Sequence, residues 1–205
     1  MAKKKYEMAV DKPSSMDTAH MLQLNNTYVA PYIQIATNLI GKQRFAGGNM
    51  FRHQIDTFGI LIDYGYMDPV LLKASLVHDV IEDIPGFDAS LIEKADADGP
   101  EVLSLVNEVT KRQGQLKNEY LRGIIENGSY RAKLLKCADR ISNMISLGFV
   151  TSSEFIDRYC NETEYYILPI AIEVDYNMYQ EILNLVMTRR KYLEDSGYYD
   201  RKKDE

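Results

Sequence analysis

Two cysteines in 205 residues, Cys137 and Cys160, are too few for a disulfide framework and suit a reducing, cytoplasmic setting. Apolar runs are short as well: none approaches the roughly 18–20 residues that span a bilayer, so no membrane association is expected. The start, Met1 to Asp11, is polar and basic and lacks the apolar segment of a secretory signal. Positive charge is also in deficit. A formal net charge of -6 argues against nucleic acid as a partner, because that affinity comes largely from phosphate neutralisation. No stretch alternates with a two-residue period, no internal repeat occurs, and no linker is long enough to separate two domains. Histidine is scarce, at three residues.

What is present is helical periodicity. The expected architecture is all-α, a single helical bundle of many short helices over residues 17–195. A flexible N-terminal tail over 1–16 and a C-terminal tail over 196–205 flank it. Tyr28, Tyr32, Ile35, Ala36, Leu39 and Ile40 follow the spacing of one buried face. A second helix over Phe51–Tyr64 places Ile55, Phe58 and Ile62 inside, with Gly65 as its stop. Asp68-Pro69 reads as an N-cap with proline at the first helical position. Further helices are expected at 88–95, 100–110, 118–126, 130–145, 152–172 and 174–194, with Pro169 kinking the penultimate one.

The chemistry concentrates in His78-Asp79-Val80-Ile81-Glu82-Asp83, at the end of an apolar helix. Glu82 lies one turn beyond His78 and Asp83 one turn beyond Asp79, so these groups share a side of the helix. Carboxylates gathered in this way repel one another unless a cation sits among them. His53 on the preceding helix, and Asp139 on the apolar face of Leu134, Leu135, Ala138 and Ile141, would complete such a site. Two imidazoles and two carboxylates suit a borderline to hard divalent ion: Mn²⁺, Fe²⁺ or Zn²⁺.

His53, His78-Asp79 and Asp139 resemble the H…HD…D signature of the HD-domain metal-dependent phosphohydrolases. The resemblance is nearest to the hydrolase domain of the RelA/SpoT family and its small stand-alone alarmone hydrolases, and covers about residues 28–172. It is carried by RFAGGNMFRH (44–53), SLVHDVIED around His78, EVTK (108–111), KCADRISNMISL (136–147), and a weaker segment of Glu162-Thr163 with Pro169 and Ala171. The resemblance implies His53, His78, Asp79 and Asp139 as metal ligands, with Mn²⁺ the usual ion, and Glu82 and Asp83 as the pair that activates water. It implies Arg44, Asn143 and Ser146 as substrate contacts. Lys136 and Arg140 would offset the charge of a polyphosphate. The implied reaction removes the 3′-pyrophosphate of (p)ppGpp to give GDP or GTP and pyrophosphate.

Where the family commonly has a lysine, a serine and then Gly-Glu-Pro-Tyr after the arginine, this chain has Phe45 to Met50. The histidine before the Asn-Met pair is Ser142, and the threonine after the acidic pair is Ile84. None of these changes touches an implied ligand. Two alternatives stay open: a phosphohydrolase for another nucleotide, and a catalytically silent nucleotide-binding module. The length leaves no room for a synthetase domain, and the tyrosines between 159 and 198 leave a homo-oligomer open.

Overall fold

The structure, a computed structural model, describes residues 18–202; the expected tail over 1–16 lies outside them. Helices α1 (Thr18–Asn26) and α2 (Ala30–Ala36) lead through a 3₁₀ turn (Thr37–Leu39) and a loop into α3 (Met50–Asp63). Then come α4 (Pro69–Val77), α5 (Val80–Asp83), α6 (Ser90–Glu93), α7 (Gly99–Val109), α8 (Lys117–Asn127) and α9 (Tyr130–Ser146). The chain closes with α10 (Ser153–Glu162), α11 (Leu168–Val174), α12 (Tyr176–Asp195) and α13 (Tyr198–Arg201). Among the described residues there is no β-strand, only an isolated bridge between Gln43 and Asn49. None of their helices is long and apolar enough to cross a membrane.

α4 is the central rod. Every residue from Val70 to Val77 is buried, because α2, α3 and α7 pack around it. Its start follows the sequence reading: Asp68 Oδ1 accepts from the Leu71 N–H at 2.9 Å, and Pro69 opens the helix. Lys73, in its middle, is admitted to the interior only because Asp96 and Asp98 each accept from its ammonium at 2.6 Å. A rod buried on all sides delivers whatever stands at its end, His78, into the interior.

Helix α3 turns a different face inward than the apolar spacing suggests. His53, Gln54, Thr57 and Leu61 are buried, whereas Ile55 is exposed and Phe58 and Ile62 are only partly buried. The inward face is polar because it meets α9 where the site forms. In the first expected helix Tyr32, Ala36 and Leu39 are buried, but Tyr28 and Ile40 are exposed: Tyr28 precedes the start of α2 at Ala30, and Ile40 follows the 3₁₀ turn that replaces the α-helix at Thr37.

Pro169 neither ends the chain's helical course nor simply kinks it. A proline lacks the N–H, and its ring collides with the carbonyl four residues earlier. The backbone accommodates this with a π-helical turn over Thr163–Ile167, after which α11 opens with Pro169 in its first turn. The C-terminal residues read as a tail are instead folded as far as 202. Tyr198 is buried in a second apolar cluster with Ile156, Cys160, Val186 and Leu193, and Tyr199 and Lys202 both donate to Asp157.

Candidate metal and substrate site

α4 ends at Val77, and the backbone loosens through His78 and Asp79 before α5 resumes at Val80. That break lets adjacent side chains converge on one point. Asp79 Oδ2 lies 3.2 Å from His78 Nε2 and 3.5 Å from His53 Nε2. Asp139 Oδ1, from α9, lies 3.0 Å from His53 Nε2 and 3.9 Å from His78 Nε2. Potential ligand atoms of His53, His78 and Asp139 all fall within 4.8 Å of one another, and all three residues are buried. The four side chains come from three separate stretches, α3, the α4–α5 junction and α9, and the fold brings all of them together.

Each is held from behind. His78 Nδ1–H donates to the Ser75 carbonyl at 2.8 Å, so in the neutral ring Nε2 is a bare lone pair. Among the described residues that buried atom has no hydrogen-bond partner, and it faces two carboxylates. A lone pair aimed at anions is unfavourable on its own; a divalent cation between them would satisfy all three groups, so the donor set fits a metal. Without one, a proton takes the place: burial alone lowers the His78 pKa, but the charges of Asp79 and Asp139 raise it to about 9. His53 Nδ1 bonds to Ser142 Oγ at 2.8 Å, and Gln54 donates to Asp79 Oδ2 at 2.8 Å. Burial would raise Asp139, but the ammonium of Lys136, 2.7 Å from Oδ2, and the two imidazoles hold it well below the usual carboxylate range.

A cavity of about 360 Å³ opens beside this cluster, lined by His53, Asp79, Glu82, Asp83 and Asp139 on one side. Each of the two outer acids is held by a lysine distant in sequence. Lys42 Nζ donates to Asp83 Oδ1 at 2.6 Å, and the Lys111 N–H donates to Glu82 Oε2 at 3.1 Å. Lys111 closes the EVTK segment, whose Glu108 accepts from the Ser129 N–H at 2.8 Å at the start of α9. Arg44, Asn143 and Ser146 form a connected group: the guanidinium donates to Asn143 Oδ1 at 2.7 Å and Ser146 Oγ at 3.1 Å, and Asn143 Nδ2 donates to the Asp139 carbonyl at 3.0 Å.

Arg140 borders the cavity, but its charge is directed elsewhere. At 2% exposure, it donates to Glu162 Oε1 at 2.6 Å and Thr163 Oγ1 at 3.0 Å, and it stacks over the Tyr159 ring at 4.2 Å. The Glu162-Thr163 pair therefore serves to seat Arg140. Sequence reasoning did not foresee Lys42, Gln54, Lys111 or Lys117 as part of this surround. Only Lys111, inside a matched segment, carried a signal that could have found it.

No protein-family model matches the chain. It is 40% identical over 99 residues to the guanosine-3′,5′-bis(diphosphate) 3′-pyrophosphohydrolase MESH1 of Drosophila melanogaster, a match covering 46% of this chain and 54% of that protein. It is 30% identical over 158 residues to the GTP pyrophosphokinase rsh of Brucella abortus, covering 72% of this chain and 20% of the relative. The chain thus matches about half of the fly protein's length and a much smaller share of the bacterial one. A solved structure described as a metazoan ortholog of SpoT that hydrolyzes ppGpp superposes with a TM-score of 0.66 at 27% identity, covering 87% of this chain and 97% of that one. In sequence and in fold alike, the chain is similar to the HD-domain ppGpp pyrophosphohydrolases.

Proposed function

We propose that the protein is a divalent-metal-dependent phosphohydrolase that removes the 3′-pyrophosphate of (p)ppGpp. The observation that carries this reading is the convergence of two Nε2 atoms and two carboxylates, one lone pair otherwise unsatisfied, beside a cavity edged with lysines. His53, His78, Asp79 and Asp139 would hold the ion; the mixed imidazole–carboxylate set suits Mn²⁺, Fe²⁺ or Zn²⁺, and the resemblance to the HD-domain phosphohydrolases implies Mn²⁺. When bound, the ion supplies positive charge that polarises a phosphoryl group and makes a water acidic near neutral pH.

The chain's own groups do the rest. Glu82 and Asp83 line the same cavity as the metal cluster, where the Lys111 N–H and the Lys42 ammonium hold the two carboxylates in place. One of them accepts the proton of the attacking water. The water oxygen bonds to the phosphorus on the 3′-oxygen, that P–O bond breaks, pyrophosphate departs, and the 3′-oxygen takes up a proton. Arg44, Asn143 and Ser146 contact the nucleotide, already preorganised by their mutual bonds. Lys136 and Lys117 balance phosphate charge, and Arg140 adds positive field from behind the wall. A nucleotide substrate and a cytoplasmic setting belong to the same reading.

The test is to incubate metal-loaded protein with ppGpp, pppGpp and a panel of nucleoside monophosphates, following pyrophosphate and orthophosphate separately. Pyrophosphate from ppGpp that disappears in Asp79→Ala is the expected result. Orthophosphate from monophosphates alone would assign the site to another nucleotide, and tight nucleotide binding without turnover would make it a silent module.

A further inference from the structure

Part of the lining of the cavity beside the metal cluster is aromatic. The loop between Lys42 and Met50 folds back on itself: the Arg44 N–H donates to the Gly48 carbonyl at 3.1 Å, and the Met50 N–H to the Lys42 carbonyl at 2.9 Å. Gly47 and Gly48, at φ of 87° and 70°, allow the reversal, since side-chain-bearing residues rarely adopt such angles. The turn projects Phe45 onto α10. Its ring lies 4.8 Å from Phe155, which stacks on Tyr159 at 5.8 Å with the planes 15° apart, and Tyr159 in turn covers the Arg140 guanidinium. A continuous aromatic row therefore runs from the cavity mouth to a buried cation, and all three rings line the same cavity as the metal cluster.

Phe45 is 72% exposed, although an apolar ring of this size gains about 1.5–3 kcal/mol when buried. The polar groups sharing the wall are already committed to one another: Arg44 to Asn143 and Ser146, and Asn143 to Asp139. This part of the lining thus offers the exposed face of Phe45, braced by Phe155 at a 46° tilt, beside polar atoms already engaged with one another.

From this arrangement, and resting on the phosphohydrolase reading above, we infer that Phe45, with Phe155 and Tyr159 behind it, is the platform on which the substrate's nucleobase stacks. Phe45 is a specificity-determining residue that selects by aromatic area, and so favours a purine over a pyrimidine nucleotide. The base lies against these rings and the phosphates among the lysines and metal ligands of the same cavity. Stacking on an aromatic side chain accepts any base with enough π surface, and leaves the preorganised Arg44, Asn143 and Ser146 group to meet the rest of the nucleotide.

The experiment measures the affinity of metal-loaded, full-length protein for GDP, CDP and inorganic pyrophosphate by calorimetry, in the wild type, Phe45→Leu and Phe45→Trp. Leucine keeps apolar contact with Phe155 and removes the π face, so it separates stacking from loop anchoring. The expected result is that wild type prefers GDP to CDP, that F45L weakens GDP roughly five- to hundredfold with pyrophosphate unchanged, and that F45W restores GDP. Equal GDP affinity in F45L and wild type, or parallel weakening of GDP and pyrophosphate, would overturn the platform. Turnover of ppGpp on the same preparations keeps the two readings apart. Hydrolysis with an unaltered KM in F45L refutes the platform alone. A Phe45-dependent affinity for GDP without hydrolysis by wild type refutes the reaction and supports the platform.

Discussion

Replacing Glu162 by alanine leaves the Arg140 guanidinium in the interior without its counter-charge. The pair is short at 2.6 Å, and the arginine is almost wholly buried, 2% exposed at its side chain against 15% for the acid. Burial lowers the arginine's hold on its proton, and the neighbouring Tyr159 and Glu162 outweigh that effect. Removing one member of a buried pair costs about 3–5 kcal/mol, because the remaining charge stays desolvated. Lys117, which also meets Glu162 at 2.9 Å, is largely exposed and adds at most about 1 kcal/mol. For a chain of this size, the sum lowers the Tm by roughly 6–24 °C. Replacing both residues with methionine removes the stranded charge and recovers most of the loss. Urea denaturation of E162A, R140M and the double variant, with the m-value checked for constancy, measures all three. If E162A lies within about 1 kcal/mol of wild type, or the double variant is no more stable than E162A, the assignment of this pair as a buried structural tie is wrong.

Other expectations follow from the same geometry. Adding Mn²⁺ to chelator-treated protein raises its stability by roughly 2.7 kcal/mol at a hundredfold excess over Kd, and His53→Ala abolishes the rise in a thermal melt. Ser142→Ala removes the group behind His53 Nδ1 and weakens metal affinity about 10- to 100-fold, read by competition with a chromogenic chelator. Asp157 is held below the usual carboxylate range: burial opposes this, but Lys202, Tyr199 and Arg190 all donate to it. With the folded pKa depressed, its stabilisation is complete above the unfolded value of about 4 and fades as pH falls through the folded one. Urea midpoints of Asp157→Asn should therefore lose less than those of wild type between about pH 5 and 2, and parallel curves would contradict the pairing.

The all-α class was legible from period alone, and so were the cap at Asp68 and the stop at Gly65, because these depend on local backbone chemistry. The pairing of His78 with Asp79 was legible in the HDxxED spacing at a helix end, and the resemblance to the H…HD…D signature added His53 on α3 and Asp139 on α9, which the fold brings to the same point. The inward face of α3 was not. Apolar spacing marks Ile55, Phe58 and Ile62 as core, yet His53, Gln54 and Thr57 face inward, since the partner surface there is the polar site. Nor was the lysine surround legible. Lys42 meets Asp83 across 41 positions and Lys111 meets Glu82 across 29, and no local pattern encodes such contacts. Arg140 was expected at the substrate and instead faces Glu162, because the π-helical turn ahead of Pro169 carries the Glu162-Thr163 pair toward α9.

The most direct test of the central claim is the release of pyrophosphate from ppGpp by chelator-treated protein as Mn²⁺ is restored. No turnover before the ion is added, then one pyrophosphate for each GDP formed and no orthophosphate, is the predicted result. Turnover indifferent to the metal, or orthophosphate in place of pyrophosphate, would contradict it.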